Sequence, residues 1–177
     1  MNRILLILLL FTACLSACTK TPDVAAQIKA QQAIDDKIIN AYLKSKNITA
    51  SVVDSAGFST SVYYTIDSLG TGNALYTSST SVTVGYTGWP LTNGALGKAF
   101  AATDNFHPSY VLGSVIRGWQ LGIESAKSQN GGAIQNGGAI TLYIPSRYAY
   151  GPYPQPYMGL PANAVLVFHI IIYNVTN

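Results

Sequence analysis

Residues 112–122 read L-G-S-V-I-R-G-W-Q-L-G and set a tryptophan among glycines where a short helix is expected. The apolar spacing predicts a helix over residues 116–126, with Ser114 or a neighbour near its start. The indole of Trp119 fits two roles beside these glycines: it fills a core, or it forms the floor of a site that the missing side chains leave open. The stretch therefore predicts a short helix whose tryptophan lies in a core or beneath a pocket.

Strand patterns surround this helix in sequence. Residues 62–66, 81–88 and 139–145 are apolar or alternating and are bounded by turn residues. Residues 164–175 are almost continuously apolar, which predicts a strand covered on both faces. The 16 Gly, 8 Pro and 12 Tyr residues also favour a turn-rich sheet protein. The predicted fold class is α+β, with one helix held against a sheet.

Residues 19–47 differ from the rest because they hold sustained helix formers and most of the lysines. Thr21 and Pro22 suit the start of a helix, and Asn47 suits its end. An apolar stripe on this helix packs either on the following domain or on the same stripe of another copy. One helix offers little area for a dimer, so packing within the chain is favoured and a weak dimer is the alternative. The stripe comprises Ile28, Ile34, Ile38 and Tyr42, with Ile39 and Leu43 beside them.

The first residues are typical of an export signal, because Arg3 precedes an apolar run over residues 4–11 that is too short to span a bilayer. L-S-A-C at residues 15–18 resembles the lipobox of bacterial lipoproteins, which implies an acylated Cys18 at the mature N-terminus. An ordinary signal peptide that ends near a chance cysteine is the alternative. The other cysteine, Cys14, lies inside this leader, so no disulfide is expected.

These patterns divide the chain into a signal peptide over residues 1–17, a lipid-anchored helix and linker over 18–56, and a folded domain over 57–177. The expected location is the bacterial cell envelope, on the periplasmic side of the outer membrane, with lipid on Cys18 as the membrane contact. Charged residues make up only 10% of the chain and the net charge is +3, so no nucleic-acid partner is indicated.

No cofactor or metal site is expected. His107 and His169 have no cysteine, serine or carboxylate cluster near them at catalytic spacing. His169 follows Phe168 in a strand pattern, which places the two side chains on opposite faces. The sequence therefore disfavours a hydrolase or a metalloenzyme.

Five aromatic residues lie far apart in sequence, each where an element is expected to begin or end. They predict an aromatic cavity if the fold brings them together. The alternative is that they are core aromatics, and this alternative is strongest for the residue inside the last strand. The five are Tyr86, Phe100, Trp119, Tyr150 and Phe168.

Residues 115–122, V-I-R-G-W-Q-L-G, resemble the central signature of the FKBP-type peptidyl-prolyl isomerases. Further fragments resemble this family in the family's own order, so that the resemblance extends over residues 57–175. It implies an FKBP-like antiparallel sheet wrapped around one short helix, preceded here by the N-terminal amphipathic helix. The fragments are V-G-Y-T-G at 84–88, G-K-A-F at 97–100, Y-A-Y-G at 148–151, L-P-A-N-A at 160–164 and L-V-F at 166–168.

The resemblance implies a role for each site residue. Trp119 forms the floor under a proline ring, the Tyr150 hydroxyl faces a substrate carbonyl, and the Ile116 N–H donates to the other carbonyl. Leu160 overhangs the site from a loop. A second aromatic wall is expected between Phe106 and Tyr110 and is assigned to Tyr110, although the simplest alignment places Pro108 there. The remaining walls are Tyr86, Phe100, Val115, Ile116 and Phe168.

The implied activity is cis-trans isomerisation of X-Pro bonds in exported proteins, whose proline-containing chains are the clients. Ala101 departs from the pattern, because active members usually carry an Asp there that helps to hold the polar network of the pocket. Asp104 is a candidate substitute. The alternatives are a peptide-binding or chaperone module with little turnover, and an adhesion module with a vestigial pocket.

A tandem Q-N-G-G-A-I repeat at residues 129–140 predicts a longer loop or a bulge at the following strand.

Overall fold

A computed structural model describes residues 23–92, 94–126 and 133–177. The expectations for the leader, Cys18, Thr21, Pro22 and the first four residues of the repeat, 129–132, lie outside these residues. One compact unit comprises Gln31–Asn177, and the residues up to Ala30 form a separate unit.

Helix α1 spans Val24–Ser45. Its first turn is capped by Asp23, whose Oδ1 accepts the N–H groups of Ala25 and Ala26 at 3.1 and 3.3 Å. Its end follows the prediction, because Asn47 adopts a left-handed φ of 54° and its N–H donates to the Lys44 carbonyl at 3.2 Å.

The buried face of α1 differs from the predicted stripe. Ile39, Tyr42 and Leu43 are buried, but Ile28 and Ile34 are 57% and 52% exposed. The reason is that the buried face continues through Asp35, four residues before Ile39, and not through the outer isoleucines. Packing within the chain is confirmed for Ile39, Tyr42 and Leu43, which share an apolar cluster with strand residues. A dimer contact through Ile28 and Ile34 stays a prediction.

In the described residues, eight strands form one antiparallel sheet with the order β1-β2-β7-β8-β3-β4, and β5 and β6 pair with further stretches of β3. The sheet begins before residue 57, because β1 lies in the segment predicted to be a linker and pairs with β2. The fold class α+β is confirmed. The strands are β1 (Ser51–Ser55), β2 (Phe58–Ser68), β3 (Ser81–Thr92), β4 (Ala95–Leu96), β5 (Ala101–Ala102), β6 (Ser109–Val111), β7 (Ala139–Ile144) and β8 (Val165–Thr176).

Strand β8 is covered on both faces, as its continuous apolar sequence predicts. Val165 and Val167 belong to the cluster that contains the buried residues of α1. Leu166 and Phe168 belong to the larger core cluster on the opposite face. The alternation follows from the two-residue period of a strand.

Helix α2 spans Arg117–Ser125 and packs on the larger core cluster. Ile116, and not Ser114, is its N-cap residue, and no side chain caps it. The Ser114 hydroxyl donates instead to the Val111 carbonyl at 2.7 Å. A Cβ at Gly122 would lie 2.5 Å from Leu142 Cδ2, so glycine lets α2 approach β7 closely. Of the helices that the structure describes, none combines the length and apolarity of a membrane span.

The second copy of the repeat leads into β7. Gln135 is buried, and its side-chain amide accepts the Ala74 N–H at 2.9 Å and donates to the Ala74 carbonyl at 3.1 Å. Ile134, the last residue of the first copy, is fully buried in the core. The copy therefore ties the long loop after β2 to the sheet.

Candidate functional site

A cavity of about 340 Å³ opens where β3, β6, β8 and the start of α2 meet the loop after β7. It brings together all five aromatic residues that the sequence singled out, together with Val115, Ile116 and Tyr110. Of the other lining residues, Ala101 was noted in the sequence as the position of the missing Asp, whereas Ser114 and Met158 were not assigned to the site. The complete lining is Tyr86, Phe100, Ala101, Tyr110, Ser114, Val115, Ile116, Trp119, Tyr150, Met158 and Phe168.

Trp119 forms the floor of this cavity. Its side chain is only 4% exposed, yet it lines the opening. The rings of Tyr86 and Phe168 meet the indole nearly at right angles, with centroids 5.0 and 5.3 Å away, and the Tyr110 ring does so at 6.3 Å. Such edge-to-face contacts are favourable for aromatic pairs. They hold the indole at a fixed angle without sealing the cavity.

The wall formed by Phe100 and Phe168 depends on a glycine of β3. Phe100 and Phe168 pack edge to face with their centroids 5.6 Å apart. A Cβ at Gly88 would lie 2.7 Å from Phe168 Cε1 and 2.9 Å from Phe100 Cζ. Only glycine therefore lets the two phenyl rings approach the strand in this position.

The polar atoms of the cavity include three tyrosine hydroxyls. Burial raises the pKa of Tyr86 to about 12, and a hydrogen bond with Tyr110 acts in the same direction. Burial also raises the pKa of Tyr150. Both hydroxyls are therefore protonated at neutral pH, and the Tyr150 hydroxyl is able to donate a hydrogen bond to a ligand in the cavity.

The start of α2 contributes a backbone N–H group to the site as well as side chains. Ile116 precedes the helix, and its carbonyl accepts the Trp119 N–H at 3.0 Å. N–H groups at the beginning of a helix have no partner within the helix. The position of Ile116 beside the cavity thus suits its N–H for a bound carbonyl group.

The family model described as FKBP-type peptidyl-prolyl cis-trans isomerase matches residues 72–173, which include all the lining residues of the cavity. The chain belongs to this family.

Relatives in this family share both sequence and fold with the chain. Two proteins named FKBP-type peptidyl-prolyl cis-trans isomerase FkpA, from Buchnera aphidicola subsp. Schizaphis graminum and subsp. Acyrthosiphon pisum, are 29% and 30% identical to it over 161 residues. These alignments include 86% of this chain but only 56% and 58% of the relatives, so the chain spans little more than half of their length.

Solved structures of the family are also similar to the chain. The crystal structure of FkpA from Escherichia coli has a TM-score of 0.60 at 27% identity, over 99% of this chain and 72% of that one. A peptidyl-prolyl isomerase from Pseudomonas syringae has the same TM-score at 22% identity, over 82% of this chain and 96% of that one, and shows the fold alone.

Leu160 does not overhang the FKBP-type cavity as the resemblance implied. It is 3% exposed and belongs to the core cluster. The reason is a short hairpin in which Gln155 and Leu160 exchange two backbone hydrogen bonds of 2.9 and 3.1 Å, which holds Leu160 inward. Met158, at the tip of this hairpin, lines the cavity instead and is 42% exposed. Nothing in the sequence singles out Met158 apart from the turn-forming Gly159 that follows it.

The substitute proposed for the missing carboxylate is not at the site. Ala101 lines the cavity, but Asp104 is exposed in a turn with a φ of 44° and lies outside the lining.

Tyr110 provides the second aromatic wall, whereas Phe106 is 72% exposed and Pro108 lies outside the lining. In the described residues, no charged side chain lines this FKBP-type cavity.

The two histidines lie outside the cavity lining. His107 stacks on Tyr173 with ring centroids 3.8 Å apart. His169 Nε2 lies 3.6 Å from Asp67 Oδ2. Among the residues that the structure describes, no three His, Cys, Asp or Glu side chains are grouped as a metal site.

Proposed function

We propose that this chain is a peptidyl-prolyl cis-trans isomerase that acts on X-Pro bonds of exported proteins and assists their folding in the cell envelope. The observation that carries the proposal is the floor of the cavity. Trp119 is almost completely buried by rings that stand edge-on to it, and an apolar cavity still opens above it. That space suits a pyrrolidine ring.

The mechanism needs no nucleophile, because the barrier is torsional. Rotation about an X-Pro amide costs ~18–20 kcal/mol through lost resonance. The twisted transition state has a smaller amide dipole than the planar ground state, so an apolar cavity suits it better than water does. Preferential binding of the twisted form, together with loss of water, accelerates rotation.

Two hydrogen-bond donors orient the peptide in this proposal. The Ile116 N–H and the Tyr150 hydroxyl lie at the cavity and bind the carbonyls on either side of the proline. The raised pKa of Tyr150, caused by burial, keeps that hydroxyl protonated. The Ile116 N–H thereby holds the carbonyl after the proline, and the Tyr150 hydroxyl meets the X-Pro carbonyl as this carbonyl rotates relative to the held ring.

Tyr110 takes over part of the role of the missing carboxylate in this proposal. The Tyr86 and Tyr110 rings lie 6.3 Å apart, edge to face, and the interaction of the Tyr86 hydroxyl with Tyr110 contributes, after burial, to the raised pKa of Tyr86. Ala101 brings only a methyl group to the same cavity. The Tyr86 hydroxyl thus has a partner although the family's usual Asp is absent.

Isomerisation of a short X-Pro peptide by the full chain, measured by NMR exchange without a coupling protease, tests the proposal. We expect Tyr110→Phe to lower kcat/KM about fivefold, because a hydrogen bond contributes ~1 kcal/mol. Adding Ala101→Asp to that variant restores the loss, whereas Ala101→Asp alone changes little. A tenfold gain from Ala101→Asp alone would show that the carboxylate limits the site and that Tyr110 does not replace it.

The second candidate is a peptide-binding or chaperone module with little turnover. The absence of charged groups from the described cavity lining favours it, since active members usually carry a carboxylate at the position of Ala101. Binding of the X-Pro peptide at wild-type strength with no rate enhancement by any of these variants would select this candidate over the isomerase.

We further propose that the protein is a lipoprotein held to the outer membrane, on its periplasmic side, by lipid on Cys18. The support is the L-S-A-C sequence after an apolar run at the N-terminus. Metabolic labelling with a fatty acid tests this: Cys18→Ser abolishes labelling and releases the protein from membranes, whereas Cys14→Ser, the matched control, leaves both unchanged. Equal labelling of the Cys18→Ser variant would contradict the anchor.

A further inference from the structure

Asp35 is a buried carboxylate that the proposed isomerase mechanism does not use. It lies on the inner face of α1 and is 0% exposed. Its Oδ2 accepts the backbone N–H of Ser146 at 2.9 Å and the Ser146 hydroxyl at 2.6 Å. Its Oδ1 accepts the side-chain amide of Gln31 at 2.8 Å. Buried carboxyl groups are tolerated when hydrogen bonds satisfy them in this way.

Ser146 connects this carboxylate to the cavity. It begins a short 3₁₀ helix, Ser146–Tyr148, which Pro145 separates from the end of β7. The Ser146 carbonyl accepts the N–H of Ala149 at 2.9 Å and that of Gly151 at 2.8 Å. These two residues are the neighbours of Tyr150 on either side, so one carbonyl fixes the backbone on both sides of the cavity tyrosine.

We propose that Asp35 is a positioning residue for the site: through Ser146 it sets the place of the Tyr150 hydroxyl. The inference rests on the proposed function of the cavity and adds to it a role for α1, a helix that contributes none of the lining residues. A second anchor holds the same turn from the sheet, because the Arg147 guanidinium donates to the Thr60 carbonyl. The Asp35 contact joins the turn to α1.

The chemistry predicts which substitution at Asp35 preserves the anchor. In Asp35→Asn the side-chain oxygen still accepts both donors of Ser146, and the amide of Gln31 rotates to present its oxygen to the new NH₂ group. In Asp35→Ala both donors of Ser146 lose their acceptor. The asparagine variant therefore keeps the hydrogen bonds to Ser146 while it removes the negative charge of the carboxylate.

The experiment measures two quantities on the full chain and each variant: amide hydrogen exchange at Ala149 and Gly151, and kcat/KM for the X-Pro peptide per folded molecule. We expect Asp35→Ala to speed exchange at both amides and to lower kcat/KM about tenfold, because small misplacements of positioning groups are costly. Asp35→Asn stays within about twofold of wild type for kcat/KM. Leu43→Ala, on the same face of α1, is the matched control and changes neither quantity beyond its effect on global stability.

A double-mutant cycle completes the test. If Asp35 acts through Tyr150, the variant carrying Asp35→Ala and Tyr150→Phe has the same kcat/KM as Tyr150→Phe alone. Multiplicative losses, unchanged exchange at Gly151 or unchanged kcat/KM in Asp35→Ala would each overturn the inference. If wild type neither binds nor isomerises the peptide, the proposed function fails, and exchange at Ala149 and Gly151 still decides whether Asp35 anchors the turn.

Discussion

The two faces of the sheet both bury aromatic rings, and the cavity around Trp119 lies on the face of α2. On the face of α1, Tyr42 and Tyr143 pack with their centroids 6.1 Å apart in a cluster that includes Leu43, Leu91 and Val167. On the face of α2, the rings around Trp119 stand edge-on and enclose about 340 Å³.

The difference lies in where side chains are missing. Gly88 on β3 and Gly118 on α2 occupy positions where a Cβ would collide with Phe168 or Ile144. These glycines bring strand and helix close enough to fix the rings without filling the centre. The cluster under α1 attaches this helix to the sheet. The cluster around Trp119 packs the core and also surrounds a binding cavity.

The largest expected effect comes from removing the floor. Trp119→Ala destabilises the protein by ~3–5 kcal/mol, as for other buried aromatic residues, and abolishes peptide binding. Leu43→Ala on the opposite face costs ~2–5 kcal/mol but leaves peptide affinity unchanged. Urea unfolding and peptide titration measure the two quantities. Equal loss of affinity in both variants would show that the two faces are not functionally distinct.

A smaller effect is expected at Gly88. Gly88→Ala places a methyl group against Phe168 and Phe100, costs ~1–3 kcal/mol and weakens peptide binding. Gly85→Ala on the same strand is the matched control, because its Cβ would meet the exposed Tyr173 ring, which is able to move. Both variants are compared by urea unfolding and peptide titration. Unchanged affinity in Gly88→Ala would contradict the role assigned to this glycine.

The raised tyrosine pKa values predict a pH dependence at the alkaline end. Burial raises the pKa of Tyr86 from 10.0 to about 12, so the folded state holds this proton more tightly than the unfolded state. The contribution of this proton to the free energy of unfolding is fully present below pH 10.0 and is lost as the pH rises towards about 12. Unfolding free energies measured across this range fall less steeply in Tyr86→Phe. Identical slopes in both proteins would contradict the burial of this hydroxyl.

The smallest effect is expected at the start of α1. Asp23→Ala removes the cap from the N–H groups of Ala25 and Ala26 and costs ~1 kcal/mol of helix stability or less. Circular dichroism detects fraying of the first turn, and peptide affinity stays the same. A change in affinity would show that the first turn of α1 influences the cavity.

Much of the fold was predictable, because the pattern in β8 and the glycines around Trp119 are local signals of packing. The apolar stripe of α1 was predicted only in part. Ile28 and Ile34 match the helical period but are exposed, since the packed face passes through Asp35. Periodicity treats an aspartate as a solvent residue, and only tertiary hydrogen bonds to Ser146 make its burial favourable.

At the site, the aromatic residues were predictable from motifs that the fold brings together. Leu160 and Met158 were not, because a hairpin between Gln155 and Leu160 decides which of them faces the cavity. The partner of Tyr86 also escaped sequence reasoning, which looked for a carboxylate near Ala101 in sequence. Tyr110 reaches Tyr86 because β6 pairs with β3, and that pairing is a long-range contact.

The central claim is that a proline ring binds against the indole of Trp119. NMR of the indole N–H resonances during titration with an X-Pro peptide tests it directly, and Trp89 is an internal control, since it pairs with Val167 on β8 and lies outside the cavity lining. The account predicts a saturable shift at Trp119, little change at Trp89, and no response to the same peptide with alanine in place of proline. No shift at Trp119, or equal responses to the proline and alanine peptides, would contradict it.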